Sequence, residues 1–356
     1  MTLSQKIRFA VIGQGHIGKR HAEMVRRNPD CQLVAVCDIK DPKELGIENI
    51  TENFYSSFDE LLSNESDNLD VINICAPNGL HYSFSMKALE YRKHIVVEKP
   101  MALSKNDAEA IIFKSLEVSK FVFCVMQNRY SPPSVWLKDL VISNTLGKIH
   151  MVQLNCFWNR DDRYYVDENW HGTVDMDGGT LFTQFSHFID IMYWLFGDIK
   201  NITAKFNDFT HQKLTGFEDS GFVSFDFING GMGSLNYSTA VYNQNLESSI
   251  TIIGERGTVK VAGQYMNEVV YCDVKDYEMP ELAPSNPPND YGLYKGSAQN
   301  HHYVIENVVD TLHHGGTIST NALEGLKVVE MIERIYALRP QEVIKPGPIH
   351  MKNKHV

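Results

Sequence analysis

The chain has 356 residues, 43% of them hydrophobic, and a formal net charge of -11. That length exceeds one ordinary core and implies two domains. An acidic balance with no basic run makes nucleic acid and anionic membrane poor partners, and no apolar run reaches the ~18 residues of a membrane span.

The N-terminal apolar run is too short for a signal-peptide core and no cleavage site follows it. The six cysteines are scattered without a CxxC, which suits buried thiols in a reducing cytoplasm and argues against a zinc site; no metal is expected.

In chain order, "IRFAVIG" (7–13) reads as a buried parallel strand, and "HIGKRHAEMVRRN" follows with helical spacing of Ile17, His21, Met24 and Val25. "CQLVAVCD" (31–38), "LDVINICAP" (69–77), "HIVVEKP" (94–100) and "FVFCVM" (121–126) are further strands. Helices fall in "SFSMKALEY" and in "NDAEAIIFKSLEV", the second behind a capping box of Ser104 and Asp107. This alternation predicts a doubly wound parallel sheet over residues 1–127.

After "QNRYSPP" a helix near 134–143 leads to the alternating strand "KIHMVQLNCFW". A helix follows within "GGTLFTQFSHFID" (178–190). Two hairpins come next, one turning at Asn229-Gly230 and one in "SITIIGERGTVKVAG". They predict an open, largely antiparallel sheet with helices on one face, in a second α/β domain over 128–340. Residues 274–298 read as a long loop, helices near 299–313 and 320–338 close this domain, and 341–356 is a loose tail. The pairs His301-His302 and His313-His314 are expected to face solvent or cap a helix, because adjacent helical residues do not share a face.

"GQGHIG" supplies Gly13, Gly15 and Gly18 as GxGxxG between a strand and a helix, and Asp38 ends the next strand. The first glycine permits the tight turn, the second lets backbone approach a pyrophosphate, and the third lets helix and strand pack closely. Asp38 accepts hydrogen bonds from ribose hydroxyls and repels a 2′-phosphate, so the expected cofactor is NAD rather than NADP. His187, inside an otherwise apolar helix, reads either as a satisfied core histidine or as a functional base.

"EKPMALS" (98–104), with the glycine motif and Asp38, "APNGLH" (76–81), "QNR" (127–129) and "GGTLFTQFSHFID", resembles the glucose–fructose oxidoreductase/inositol dehydrogenase (Gfo/Idh/MocA) family over residues 6–338. The resemblance implies a Rossmann domain, then an α/β domain whose open sheet often serves homo-oligomerisation. It implies cofactor contacts at Gly13, Gly15, His16, Ile17, Gly18, Asp38, Ala76, Pro77, Asn78, His81, Glu98, Lys99 and Gln127. Lys99 then lies beside nicotinamide and substrate, and His187 faces it across the substrate.

Oxidising a secondary alcohol needs a base for the hydroxyl proton, and a histidine of ordinary pKa ~6.5 suits that near neutrality. A lysine can hold the oxygen as charge develops on it. Which of Lys99 and His187 is the base stays open. Asp190, one turn on, either orients the ring or lies near the surface at the helix end.

Many family members carry an aspartate where this chain has Thr183, followed by Gln184. The neutral residue argues against an inositol- or glucose-type site. With "QNR" and "NWHGT" (169–173) it resembles the UDP-N-acetylglucosaminuronate 3-dehydrogenases, which oxidise a sugar C3 hydroxyl on the way to surface-polysaccharide diamino sugars.

The stretch "FWNRDDRYYVDENWHGT" (157–173) fits a substrate loop. Lys99, Arg160, Arg163, Trp170, His171, Thr183, Gln184 and His187 are the expected substrate contacts, with Arg163 the first choice for a uronate carboxylate and Arg160 the next. The alternative for this loop is a solvated charged segment, its arginines paired to Asp161, Asp162 or Asp167. The leading functional reading is an NAD-dependent dehydrogenase of a nucleotide-linked uronate. A free-sugar or cyclitol dehydrogenase and a non-catalytic NAD-binding regulator are the alternatives; the presence of both Lys99 and His187 argues against the last.

Overall fold

The structure is a computed structural model and describes residues 5–166 and 170–340. The expected tail at 341–356 and the proposed pairing partner Asp167 lie outside the described residues. The chain divides into two compact units. Of the described residues, one holds 5–126 and His301–Val329; the other holds Gln127–Asn300 and 330–340.

In the first unit, the five expected apolar strands and a short half-buried one, β3, make one sheet: β1 (Ile7–Ile12), β2 (Cys31–Cys37), β3 (Asn53–Tyr55), β4 (Val71–Ile74), β5 (His94–Val97) and β6 (Val122–Cys124). Their order is β3-β2-β1-β4-β5-β6 and every pairing is parallel. Helices α1 (His16–Arg27), α2 (Pro42–Leu45), α3 (Phe58–Glu65), α4 (His81–Glu90) and α5 (Lys105–Val118) make the connections. Ser104 caps α5 by accepting from the Asp107 amide at 3.0 Å, as the capping box predicts. Ile72, Ile74, Leu61, Leu89, Ile95 and Ile111 are fully buried in the core. The strand order reverses between β1 and β4, so the loops after them diverge and leave the crevice where doubly wound sheets take ligands.

The second unit holds α6 (Pro132–Ile142), β7 (Ile149–Phe157), a π-helical turn at Leu181–Phe185, α7 (Ser186–Phe196), β8 (Ile199–Asn207), β9 (Ser220–Phe227), β10 (Met232–Ser238), β11 (Glu247–Gly254), β12 (Gly257–Ala262) and β13 (Glu268–Val274). Its seven-stranded sheet has the order β13-β12-β11-β7-β10-β9-β8. Only the β7–β10 pair is parallel; the others are antiparallel. Both expected hairpins form, β9–β10 and β11–β12. On β7, Val152, Leu154 and Cys156 point into the core. On that side Phe185 and Phe188 pack against Trp158, and Phe185 also meets Tyr237. The other face leaves Met151, Phe222, Met232 and Ile253 exposed.

The expected loop at 274–298 contains a two-stranded hairpin, β14 (Pro288–Asp290) with β15 (Lys295–Ala298). The two closing helices are α8 (His301–His314) and α9 (Ala322–Tyr336). They were expected to complete the second domain. Instead α8 lies against α1 of the first unit, and Ala322 and Leu326 of α9 join its core. His301 is 1% exposed, so the expectation of solvent-facing or capping histidines fails there; a carboxylate inside the first unit draws it in. No helix among the described residues is long and apolar enough to cross a membrane.

Candidate active site

The glycine motif is built as its spacing requires. Gly13 has φ +85°, and a Cβ on it would meet the Cys75 carbonyl oxygen at 2.4 Å. A Cβ on Gly18 would collide with the Gly13 carbonyl, whereas one on Gly15 would meet nothing within 4 Å. Gly13 and Gly18 therefore serve packing, and Gly15 keeps open the space a pyrophosphate would fill. Gly15 is also the N-cap of α1 and gives the helix no side-chain cap, so the first-turn amides are available to an anion.

No acidic residue occupies that first turn. It carries His16 and Ile17, with Lys19 and Arg20 close behind. Basic groups near a helix N-terminus are unfavourable unless an anion joins them. Burial, then Lys19 and Arg20, pushes the His16 pKa below its ordinary value. Asp38 is held at the lip of this loop: its Oδ2 accepts from the Gln14 amide at 2.6 Å and its Oδ1 from the Lys40 amide at 2.9 Å. Open space at Gly15, uncapped amides and a fixed carboxylate fit an adenine dinucleotide with a free ribose hydroxyl.

The loops after β4 and β5 hold the remaining cofactor candidates except Gln127, which follows β6. Ala76 and Pro77 lead into a short 3-10 turn at Asn78–Leu80. His81 is buried, with Nδ1 2.6 Å from the Pro100 carbonyl and Nε2 2.9 Å from the Ala76 carbonyl. It thus ties the loop bearing Asn78 to the loop bearing Lys99, and both its ring nitrogens are engaged by protein. Glu98 is also turned inward. Its Oε1 lies 3.0 Å from His21 Nε2 and 3.5 Å from His301 Nε2, while Oε2 accepts from the Lys99 amide at 3.2 Å.

Burial pushes the Glu98 carboxyl upward, but the two histidines outweigh it and hold the group well below the usual range. Burial keeps the His301 pKa low. The motif points to Glu98, and no local pattern shows that His21 and His301 hold it. These three are also the described residues grouped closely enough to take a metal ion, with ligand atoms within 4.8 Å of one another. Gln127 falls in the second unit, where its carbonyl accepts from Asn300 Nδ2 at 3.1 Å.

In the second unit, five of the expected substrate residues, Arg160, Trp170, His171, Thr183 and Gln184, meet in one cluster that is buried except at the half-buried Trp170 and His171. Arg160 Nε donates to Gln184 Oε1 at 2.8 Å, Gln184 Nε2 donates to the Tyr164 hydroxyl at 2.8 Å, and that hydroxyl lies 3.0 Å from His171 Nδ1. Trp170 packs on His171 with ring centroids 3.8 Å apart. The Asp177 carboxylate lies 3.7 Å from His171 Nδ1, accepts from the Gly172 amide at 2.8 Å, and takes a short hydrogen bond from Thr183 Oγ1.

Tyr164 stood in the predicted loop without a role, and Asp177 was not foreseen. Its link to Thr183 spans a glycine pair, and no local pattern signals it. Gly179 in that pair has φ +123°, and a Cβ there would come within 2.7 Å of the Tyr336 hydroxyl, which accepts from the Leu181 amide at 2.7 Å. Thr183 and Gln184 then sit in the π-helical turn, a rare geometry frequent at functional sites. His187 follows in the first turn of α7 and is 3% exposed.

Arg163 stands apart from the network. It is bidentate on Asp161 at 2.7 to 3.0 Å and also donates to Asn159 Oδ1 and the Asn243 carbonyl. The solvated-loop reading therefore describes Arg163 and not Arg160. Asp190 is 1% exposed, so its placement at the surface is overturned: Arg129 draws it into a buried ion pair.

Residues 7–124 match the family described as "Oxidoreductase family, NAD-binding Rossmann fold", and residues 135–260 match "GFO/IDH/MocA C-terminal domain". The structure is similar to that of the WlbA dehydrogenase from Bordetella pertussis in complex with NADH and UDP-GlcNAcA, with TM-score 0.83 and 29% identity over 97% of this chain and 100% of that one. The corresponding WlbA complex from Chromobacterium violaceum gives TM-score 0.82 and 29% identity, over 98% of each chain. Among relatives by sequence, the inositol 2-dehydrogenase of Rubrobacter xylanophilus is 26% identical over 268 residues, 72% of each chain.

Proposed function

This chain belongs to the Gfo/Idh/MocA oxidoreductase family and is an NAD-dependent dehydrogenase, and we propose that its substrate is a nucleotide-linked sugar uronate oxidised at the C3 hydroxyl. The observation that carries this reading is the likeness, over nearly the whole of both chains, to two dehydrogenases crystallised with NADH and UDP-GlcNAcA.

Bound NAD supplies the hydride acceptor. As the alcohol carbon loses hydride, its oxygen must lose a proton, and the chain offers two groups for that oxygen. In this reading His187 takes the proton and Lys99 holds the oxygen as its charge grows; the resemblance equally allows the reverse. The α1 amides and the space at Gly15 hold the pyrophosphate, and Asp38 binds the ribose hydroxyls. The Arg160–Gln184–Tyr164–His171 network lines the sugar side. Subunit association through the exposed face bearing Met151, Phe222 and Met232 belongs to the same proposal. A Phe222→Asp protein should sediment as a smaller species; an unchanged sedimentation coefficient would count against that face.

One observation favours a second reading, a free-sugar or cyclitol dehydrogenase. The Asp177 carboxylate rests on Thr183, so a buried negative charge adjoins the position whose neutral side chain argued against an inositol-type site. Inositol dehydrogenases are also among the relatives. NADH formation with UDP-GlcNAcA, UDP-GlcNAc and myo-inositol separates the readings. The uronate should give the highest kcat/KM; faster turnover of myo-inositol would establish the second reading instead.

A further inference from the structure

We propose that Arg160, and not Arg163, selects a carboxylate on the substrate, an inference that rests on the nucleotide-linked uronate reading. Two arginines are buried among the described residues, Arg129 and Arg160, and their surroundings differ in one respect. Arg129 spends its fork on both oxygens of Asp190. Arg160 meets only neutral acceptors. Its Nε donates to Gln184 Oε1, its Nη1 to the Asn159 carbonyl and to Asn245 Oδ1, and its Nη2 to the Lys295 carbonyl. No carboxylate pairs with it among the described residues.

A guanidinium carries five N–H donors, and four are used here, which leaves one on Nη2. The rings of Trp158, Tyr164 and Tyr294 lie 4.9, 5.1 and 5.2 Å from its central carbon. Burial lowers the Arg160 pKa and the surrounding tyrosines oppose the shift. The site is thus an aromatic, water-poor cage around a cation that lacks its counter-charge. Burying an uncompensated charge is unfavourable, and ring faces and neutral oxygens offset only part of that cost. The missing complement is an anion, and the planar fork matches the two oxygens of a carboxylate.

Two features place the cage at the substrate site. Gln184, bonded to Arg160, lies in the π-helical turn three residues before His187. The cover over the cage is the β14–β15 hairpin, which contributes Tyr294 and the Lys295 carbonyl; that carbonyl also accepts from Asn245 Nδ2 at 3.1 Å. A ligand carboxylate would replace the Lys295 carbonyl on Nη2. Binding should therefore change amide protection across residues 291–298. Arg163 lacks these properties, because Asp161 already neutralises it and its side chain is 38% exposed.

The test is calorimetric titration of the NADH-bound protein with UDP-GlcNAcA and UDP-GlcNAc, for the unmodified chain and for Arg160→Met, Arg160→Lys and Arg163→Ala. Unmodified protein should prefer the uronate. Arg160→Met should raise the uronate Kd by about one to two decades more than it raises that of the neutral sugar. Arg163→Ala should change neither. Arg160→Lys keeps the charge but loses the fork, so it should lose part of the preference; it serves if the methionine variant does not fold. Hydrogen exchange at 291–298 should respond to the uronate only when Arg160 is present. A full uronate preference in a folded Arg160 variant with normal NADH affinity would overturn the arginine assignment alone. Failure of the unmodified protein to bind either nucleotide sugar would overturn the parent reading with it.

Discussion

Both oxygens of Asp190 accept from the guanidinium of Arg129, at 2.6 and 2.8 Å, and neither residue is more than 4% exposed. The pair joins the segment after β6 to α7, one turn beyond His187. Removing one member of a buried pair strands the other charge. Asp190→Asn should therefore destabilise the protein by about 3–5 kcal/mol in urea denaturation. A loss below about 1 kcal/mol would mean that Arg129 finds another counter-charge.

Cofactor choice should follow Asp38. Its carboxylate is fixed by the Gln14 and Lys40 amides, where a 2′-phosphate would meet it. NAD should bind more tightly than NADP, and Asp38→Ser should weaken NAD by about one to two decades while narrowing the preference. Fluorescence titration with the reduced cofactors measures both affinities. Equal affinities in the unmodified protein would contradict the assignment.

Glu98 should make stability depend on pH in the acid range. Its folded pKa lies below the ordinary value, because His21 and His301 overcome the effect of burial. The stabilisation is then fully present above the ordinary glutamate pKa of ~4.3 and is lost as pH falls through the lower folded value. The stability gap between the unmodified protein and Glu98→Gln should be constant near neutrality and shrink in acid. A gap independent of pH would mean that Glu98 is not held ionised.

Lys99→Ala and His187→Ala should each lower kcat by about 10²–10⁴-fold while NAD still binds. Steady-state kinetics paired with cofactor titration separates the two effects. Near-normal turnover in His187→Ala would return that residue to the role of a buried core histidine.

The features of the fold and site that are legible in the sequence are those set by local pattern. Gly13, Gly15, Gly18 and Asp38 announce their geometry through spacing after a strand. Val152, Leu154 and Cys156 announce the buried face of β7 by alternation. Long-range pairing is not written locally. Nothing near Asp177 says that its carboxylate will meet Thr183 beyond two glycines, and nothing near His301 says that Glu98, about two hundred residues earlier, will draw it into the first unit. Arg160 and Arg163 looked alike in sequence. Burial separates them, because one lies under the β14–β15 hairpin and the other binds the aspartate two residues before it.

Hydride transfer from C3 of a nucleotide-linked uronate to NAD is tested most directly by following an isotope. The unmodified enzyme is incubated with NAD and UDP-GlcNAcA carrying deuterium at C3, and the reduced cofactor is analysed by mass spectrometry. The reduced cofactor should carry the deuterium, the sugar product should have lost it, and initial rates should show a primary isotope effect when chemistry limits turnover. Reduced cofactor without deuterium would place the oxidation at another carbon, and no reduced cofactor at all would contradict the uronate assignment.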